Sequence, residues 1–499
     1  MKQTCNPLHP SINEKKSVFS LFHYSLFIVH CSLFIALLLT GCKKEANELD
    51  TKSAEYERIN KFIIDGVHEV YLWEAETDWN QFETREAYAL YTDHYQLFEK
   101  LIYQDDYWST LTNDIEGLGS QFDGISTTFG YTLRFYRLPS DDIIAVVLYA
   151  SPHSPAENAG LKRGDVIIKM NGANITLDNY MNLYYAPSIS IRCGELEGST
   201  FIELPETISL TAVEMYENPI VTHRTIDMEG QKIGYLCYTG YQRDSEDELI
   251  QLFSEFKSDG VNEVVLDLRY NPGGYSRTAL ILSSILAPEQ VVKRKDTYLV
   301  HHYNALLTSY YNQRNESLNE NFVDTLPVNM NLSRLYVLTG NNTASASEAT
   351  MVGLEPYLDL VQIGETTSGK YCGGTLLSPS NIYLEKDRDY FGSFSNWGMY
   401  LMIYRFANIK GITSFTGGLV PNIEAEEDDF DLKPFGDEDD PLLGRALAHI
   451  KGVEYIEKRA SRITVPLTPL PVLKKPFDGM MIEDNAKWIM QNAKLRMEE

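Results

Sequence analysis

Between Asn341 and Thr350 the chain reads NNTASASEAT, four hydroxyl side chains and three alanines around a single glutamate. Side chains this small make a poor core, but they let another backbone approach a hydroxyl closely. Taken alone, the stretch also reads as an ordinary helix start, with Thr343 or Ser345 as the cap and Glu348 as its partner. Two further stretches bear on the choice. DLRYNPGG (267–274) ends in two glycines whose backbone N–H groups are free to face an oxyanion. GETTSGK (364–370) follows another apolar run and ends in a lysine, which would lie at the same edge of a sheet.

Something must bring these parts together. All three stretches follow apolar runs that read as buried strands: EVVLDLRY, RLYVLTG and DLVQIGE. Helical patterns lie between them, including EDELIQLFSEFKSDG, closed by Gly260. From Gly230 onward the recurring strand, loop and helix predict an α/β domain with largely parallel strands. Loops at the carboxyl ends of such strands share one edge, so the three can converge. The hydroxyl-rich stretch then sits at a helix N-terminus, where the dipole favours developing negative charge. Upstream, Ile59, Phe62, Ile63, Val67, Val70 and Tyr71 follow the rhythm of one helix face. The strand-like runs TLRFYR and DIIAVVLYA come next. Downstream, EAEEDDFDLKPFGDEDD reads as a solvated acidic loop, followed by a helix and a Pro-rich tail. The expected organisation is an α/β multidomain chain. It has a targeting segment over 1–41, a tether over 42–52, a helical region over 53–108 and a β domain over 109–215. The α/β domain spans 216–430, and a C-terminal helix and tail span 431–499.

The formal net charge of −27 argues against a nucleic-acid partner and against a basic membrane-surface patch. The chain has no P-loop, no GxGxxG after a strand and no HExxH, so neither a metal nor a cofactor is expected. Near the N-terminus, Lys15 and Lys16 precede an apolar run ending LLTGC at Cys42. That pattern is secretory, although the run is also long enough for a transmembrane anchor. Its end resembles the bacterial lipoprotein box. The resemblance implies cleavage before Cys42, lipidation of its thiol and a place in the cell envelope, periplasmic or surface-exposed. Cys193, Cys237 and Cys372 would remain, too few and too far apart for a disulfide framework or a zinc site.

Two further resemblances follow. SPAENAGLKRGDVIIKMNG (154–172) resembles the short helix, turn and strand of a PDZ domain. This match implies that Phe129, Gly130, Tyr131, Thr132 and Leu133 form the carboxylate-binding loop, whose backbone N–H groups hold a peptide C-terminus, the peptide adding as a strand. From about Asp123 to Glu427 the chain resembles the C-terminal processing peptidases, or tail-specific proteases. Those serine peptidases pair a PDZ domain with a catalytic domain of the ββα-superhelix, crotonase-like type. Their Ser-Ala-Ser-Ala-Ser-Glu motif corresponds to Thr343–Glu348, which makes Ser345 the implied nucleophile. Their Gly-Glu-x-Thr-x-Gly-Lys motif corresponds to 364–370, which makes Lys370 the implied base. Their Asp-Leu-Arg-x-Asn-Pro-Gly-Gly loop corresponds to 267–274, implying an oxyanion hole from the N–H of Gly273 or Gly274 and that of Ala346. Many members carry a glutamine four residues after the lysine, where this chain has Gly374. The implied activity is cofactor-free cleavage of proteins near a free C-terminus. The alternative is a catalytically silent lipoprotein that binds peptides or apolar ligands on the same fold.

Overall fold

The strands expected to position the three loops become neighbours in one six-stranded sheet. Its order is Ile220–Met228, Gln231–Tyr238, Glu263–Asp267, Arg334–Thr339, Asp359–Gly364 and Ile423–Glu424. All pairs but the first are parallel, as the α/β pattern requires. This is seen in a computed structural model that describes residues 54–456 except 90 and 199, together with 465–473, 475 and 478–483. The targeting segment, Cys42 and the tether lie outside the described residues.

A second sheet faces the first. It runs Gly274–Tyr275, Met481–Ile482, Cys372–Leu377, Gly398–Ala407, Thr297–Tyr303 and Asn319–Asn321, with Thr110–Thr112 also pairing with Gly398–Ala407. One apolar core joins the layers. Leu266 and Val337 enter from the first sheet, Leu401 and Ile403 from the second, and Ala349 and Val352 from the helix Ala346–Leu354. The helix over 54–70 lays Ile59, Phe62, Ile63, Val67 and Val70 into the same core, and Tyr71 just after it joins them. Each such fully buried side chain contributes roughly 1.5–3 kcal/mol, which makes the helical region part of the same body as the two sheets. The PDZ-like sheet has its own core, centred on Leu133, Val147 and Ile167.

Three expectations need correction. Thr110–Thr112, expected within the β domain, belongs to the second sheet because it pairs antiparallel with Gly398–Tyr400. The acidic run is not simply solvated. Asp429 and Asp440 are buried, Asp429 pairing with Arg134 and Asp440 with Arg269. The arginines, far off in sequence, are what draw the carboxylates inward. The tail is not a separate appendage either: Thr468–Pro469 pairs with the PDZ-like strand Tyr131–Arg137, and Met481–Ile482 enters the second sheet. Cys193, Cys237 and Cys372 are all free thiols.

Candidate active site

The strand Arg334–Thr339 leads into a tight turn that ends at Ser345, where the helix Ala346–Leu354 begins. Ser345 has φ 62° and ψ −112°. A non-glycine residue held there costs about 1–3 kcal/mol, so its surroundings must impose the conformation. Two neighbouring hydroxyls do so. Thr343 Oγ1 donates to the Leu268 carbonyl at 2.7 Å, and Ser347 Oγ to the Asn271 carbonyl at 3.1 Å. Both acceptors belong to the glycine-rich loop, so the serine turn and that loop are fastened together. Ser345 is fully buried, and its Oγ has no hydrogen-bond partner among the described residues. The turn is therefore a helix start whose Ser345 hydroxyl is left unspent.

Lys370 is also fully buried. Burial lowers its amine from 10.5 to about 7, against the pull of nearby Asp106 and Glu348. The adjacent Cys372 thiol is pushed up to about 12 by burial, which leaves it neutral at pH 7. Lys370 Nζ lies 3.4 Å from Tyr400 Oη and 5.4 Å from the ring centres of Trp108 and Tyr400. The amine is thus held mainly by aromatic faces and one phenol, in a pocket that favours its neutral form.

Glu348 links the two residues. Its carboxylate accepts from the Ser345 N–H at 2.7 Å, Thr367 Oγ1 at 2.5 Å, the Gly369 N–H at 2.7 Å and the Lys370 N–H at 2.9 Å. The sequence reading placed Glu348 as the partner in a helix start. The structure shows that the same carboxylate also clamps the loop that carries the lysine. Burial raises its pKa to about 7 in spite of these four donors.

The glycine loop closes the site. Gly273 and Gly274 have φ of 116° and 134°, and a Cβ on Gly273 would lie 2.8 Å from the Ser345 Cβ. Only glycine permits both that backbone and that approach. The two expected donors differ. The Gly273 N–H is taken by Asn271 Oδ1 at 2.9 Å, whereas the Gly274 N–H reaches outward to the Met480 carbonyl at 3.1 Å. The Ala346 N–H donates to no described residue. Of the loop's neighbours, Asp267 and Arg269 form a buried ion-pair group with Asp440. Tyr270 accepts a hydrogen bond from Arg163 of the PDZ-like domain at 3.0 Å.

The loop expected to hold a carboxylate is placed less simply. Phe129, Tyr131 and Leu133 are buried in the PDZ-like core, and the Gly130 N–H is taken by Thr128 Oγ1 at 2.9 Å. Thr132 lines a cleft of about 500 Å³ that runs past Tyr149 and Ala344 to Gly273 and Gly274.

This arrangement can be set beside known proteins. Residues 232–425 match the family model Peptidase family S41, and residues 146–183 match a PDZ domain model. The chain carries a domain that matches peptidase family S41. The chain is 26% identical over 251 residues to a carboxyl-terminal-processing protease of a Picosynechococcus strain, covering 48% of this chain and 54% of that protein. Carboxy-terminal processing protease CtpA of Bacillus subtilis is 26% identical over 299 residues, covering 59% and 56%. The chain thus spans about half the length of the curated relatives it matches. A crystal structure from Bacteroides fragilis, described as an S41 protease, superposes with a TM-score of 0.62 at 24% identity, covering 78% of this chain and 97% of that one. It shows the same fold.

Two features of the S41 site escaped the sequence. Asp106 accepts from the Trp108 N–H at 2.9 Å and so sets the ring that faces Lys370, yet nothing near residue 106 marks it. Tyr400 fills the space beside Gly374: a Cβ there would lie 2.7 Å from the Tyr400 Cζ and 2.6 Å from the Leu401 carbonyl oxygen. Gly374 does not have the positive φ that would by itself demand glycine. The small residue makes way for the phenol that contacts Lys370. The departure at Gly374 from the pattern the resemblance implied was the available signal.

Proposed function

We propose that the chain is a lipid-anchored serine endopeptidase of the cell envelope that cuts proteins near their C-termini, with Ser345 as nucleophile and Lys370 as general base. The observation that carries this reading is the pairing of an unpartnered, buried Ser345 hydroxyl on a strained turn with a buried amine titrating near neutrality. A silent binding protein has no use for either, since both cost stability.

In the proposed reaction Ser345 Oγ attacks the substrate carbonyl and Lys370 takes its proton. The Gly274 and Ala346 N–H groups hold the oxyanion. Lys370 then protonates the leaving amine, and water releases the acyl group by the same route. Tyr400 Oη keeps the amine in place. The PDZ-like strand Tyr131–Arg137 takes the substrate's C-terminal residues by strand addition.

The protein's cleavage of an unfolded substrate tests this. Because only neutral Lys370 accepts a proton, kcat/KM should rise with pH to a midpoint near 7 and fall about tenfold per pH unit below it. A midpoint near 10 would remove Lys370 from the role. A substrate with a free C-terminus should be cut about tenfold faster than its amide. Equal rates would mean the PDZ-like domain does not read the carboxylate. For the anchor, fatty-acid labelling should be lost in Cys42→Ala; persistence of the label would refute attachment there.

A further inference from the structure

The described end of the chain follows a path that the proposed chemistry does not need. Thr468–Pro469 adds antiparallel to the PDZ-like strand at Arg137 and Tyr136, and the Leu470 N–H continues the ladder to the Phe135 carbonyl at 2.9 Å. Leu470 and Leu473 pack on the PDZ-like core. Further on, Met480, Met481 and Ile482 are buried in the S41 domain. Met481–Ile482 runs parallel to Gly274–Tyr275 on one side, and Ile482 pairs with Gly374 on the other. The Glu483 N–H donates to the Gly374 carbonyl at 2.8 Å. One flanking strand follows the oxyanion loop and the other follows Lys370. The tail therefore lies as an extended strand in the groove that both catalytic loops border.

Its register picks out one bond. The Met480 carbonyl accepts from the Gly274 N–H, and it lies 3.0 Å from the point where a Gly273 Cβ would sit, itself 2.8 Å from the Ser345 Cβ. Across the same peptide, the Met481 N–H donates to Tyr400 Oη at 3.0 Å, and that oxygen is 3.4 Å from Lys370 Nζ. The acyl half lies beside the Ser345 turn and takes one oxyanion donor. The amine half faces the phenol that contacts Lys370. A strand that only blocked the groove would have no need of this alignment.

We propose that the chain is its own substrate and that Ser345 cleaves the Met480–Met481 bond, a step that rests on the serine–lysine reading above. Ser345 Oγ bonds to the Met480 carbonyl carbon as Lys370 takes the hydroxyl proton. The carbon–nitrogen bond breaks, and Lys370 passes the proton to the Met481 nitrogen. Water then hydrolyses the ester, leaving a carboxylate on Met480 and a free Ser345. Strand Met481–Ile482 departs, and the groove opens to substrates from outside.

The test follows the intact mass of the full-length purified chain over time, alongside its cleavage of unfolded casein. The wild type should convert to a chain ending at Met480 plus a peptide beginning at Met481, at a rate independent of protein concentration. Ser345→Ala should stay whole. Met481→Pro, which removes the N–H held by Tyr400, should slow conversion at least tenfold, and casein cleavage should fall with it. If the wild type cuts casein in a Ser345-dependent way while its tail stays whole, or is cut at another bond, self-cleavage at Met480 is overturned and the peptidase reading stands. If neither tail nor casein is cut, both fall.

Discussion

Ser345→Ala and Lys370→Ala should each lower cleavage of an unfolded protein by on the order of 10³-fold or more, and the double variant should be little worse than either alone. A nucleophile and its base act as one unit, so removing either removes the pathway. Additive losses would mean that the two residues serve different steps. Lys370→Met separates chemistry from folding. The amine's fall from 10.5 in the free state to about 7 in the fold means that folding disfavours the charged form. The cost is absent above the unfolded value, grows as pH falls from 10.5 to 7, and is then constant at on the order of 5 kcal/mol. Methionine avoids that cost but forfeits the contacts with Trp108 and Tyr400, worth about 1–2 kcal/mol. The inactive Lys370→Met protein should therefore unfold at a higher temperature than the wild type at pH 7. A lower unfolding temperature would show that the buried amine is not a stability burden.

Glu348→Gln should be nearly as damaging, for a different reason. Each carboxylate oxygen accepts two of the four donors. An amide replaces one acceptor with an NH₂ group that faces two N–H or O–H donors. Two charge-assisted hydrogen bonds are lost, at about 1.5–3 kcal/mol each. The Ser345 turn and the Lys370 loop are then no longer held to one point. Misplacement of about 1 Å costs roughly 10²-fold in rate, so kcat should fall by at least that much, with a lower unfolding temperature. Wild-type kcat in this variant would show that the clamp is not what aligns the pair.

How far the sequence foretold this depends on the range over which each signal acts. The strands around Val265, Val337 and Val361 and the helix closed by Gly260 were legible because periodicity and capping are local. The convergence of three loops was legible because parallel strands force their carboxyl ends to one edge. Thr343 was read as a candidate helix cap, yet it and Ser347 fasten the turn to the glycine-rich loop. Glu348 was read as half of a local cap, while its grip on Gly369 and Lys370 crosses about 20 residues that carry no periodic signal. Tyr400 and Asp106 reach Lys370 from other strands and loops, where only the fold brings them. The acidic run was misread because Asp429 and Asp440 are neutralised by Arg134, on a distant strand, and by Arg269, in the distant glycine-rich loop.

The strand position between Gly274–Tyr275 and Cys372–Leu377 is one chain wide, and both of its borders are backbone edges. Whatever fills it must offer main-chain donors and acceptors on its two sides at once, with no sheet or helix partner of its own. Native helices and sheets cannot do so, because their backbone groups are already paired. In the proposed endopeptidase, selection therefore acts on foldedness before it acts on side chains. For a given target, the speed of destruction should track how often its end frays open, and two proteins with identical tails should differ in lifetime as their local stabilities differ.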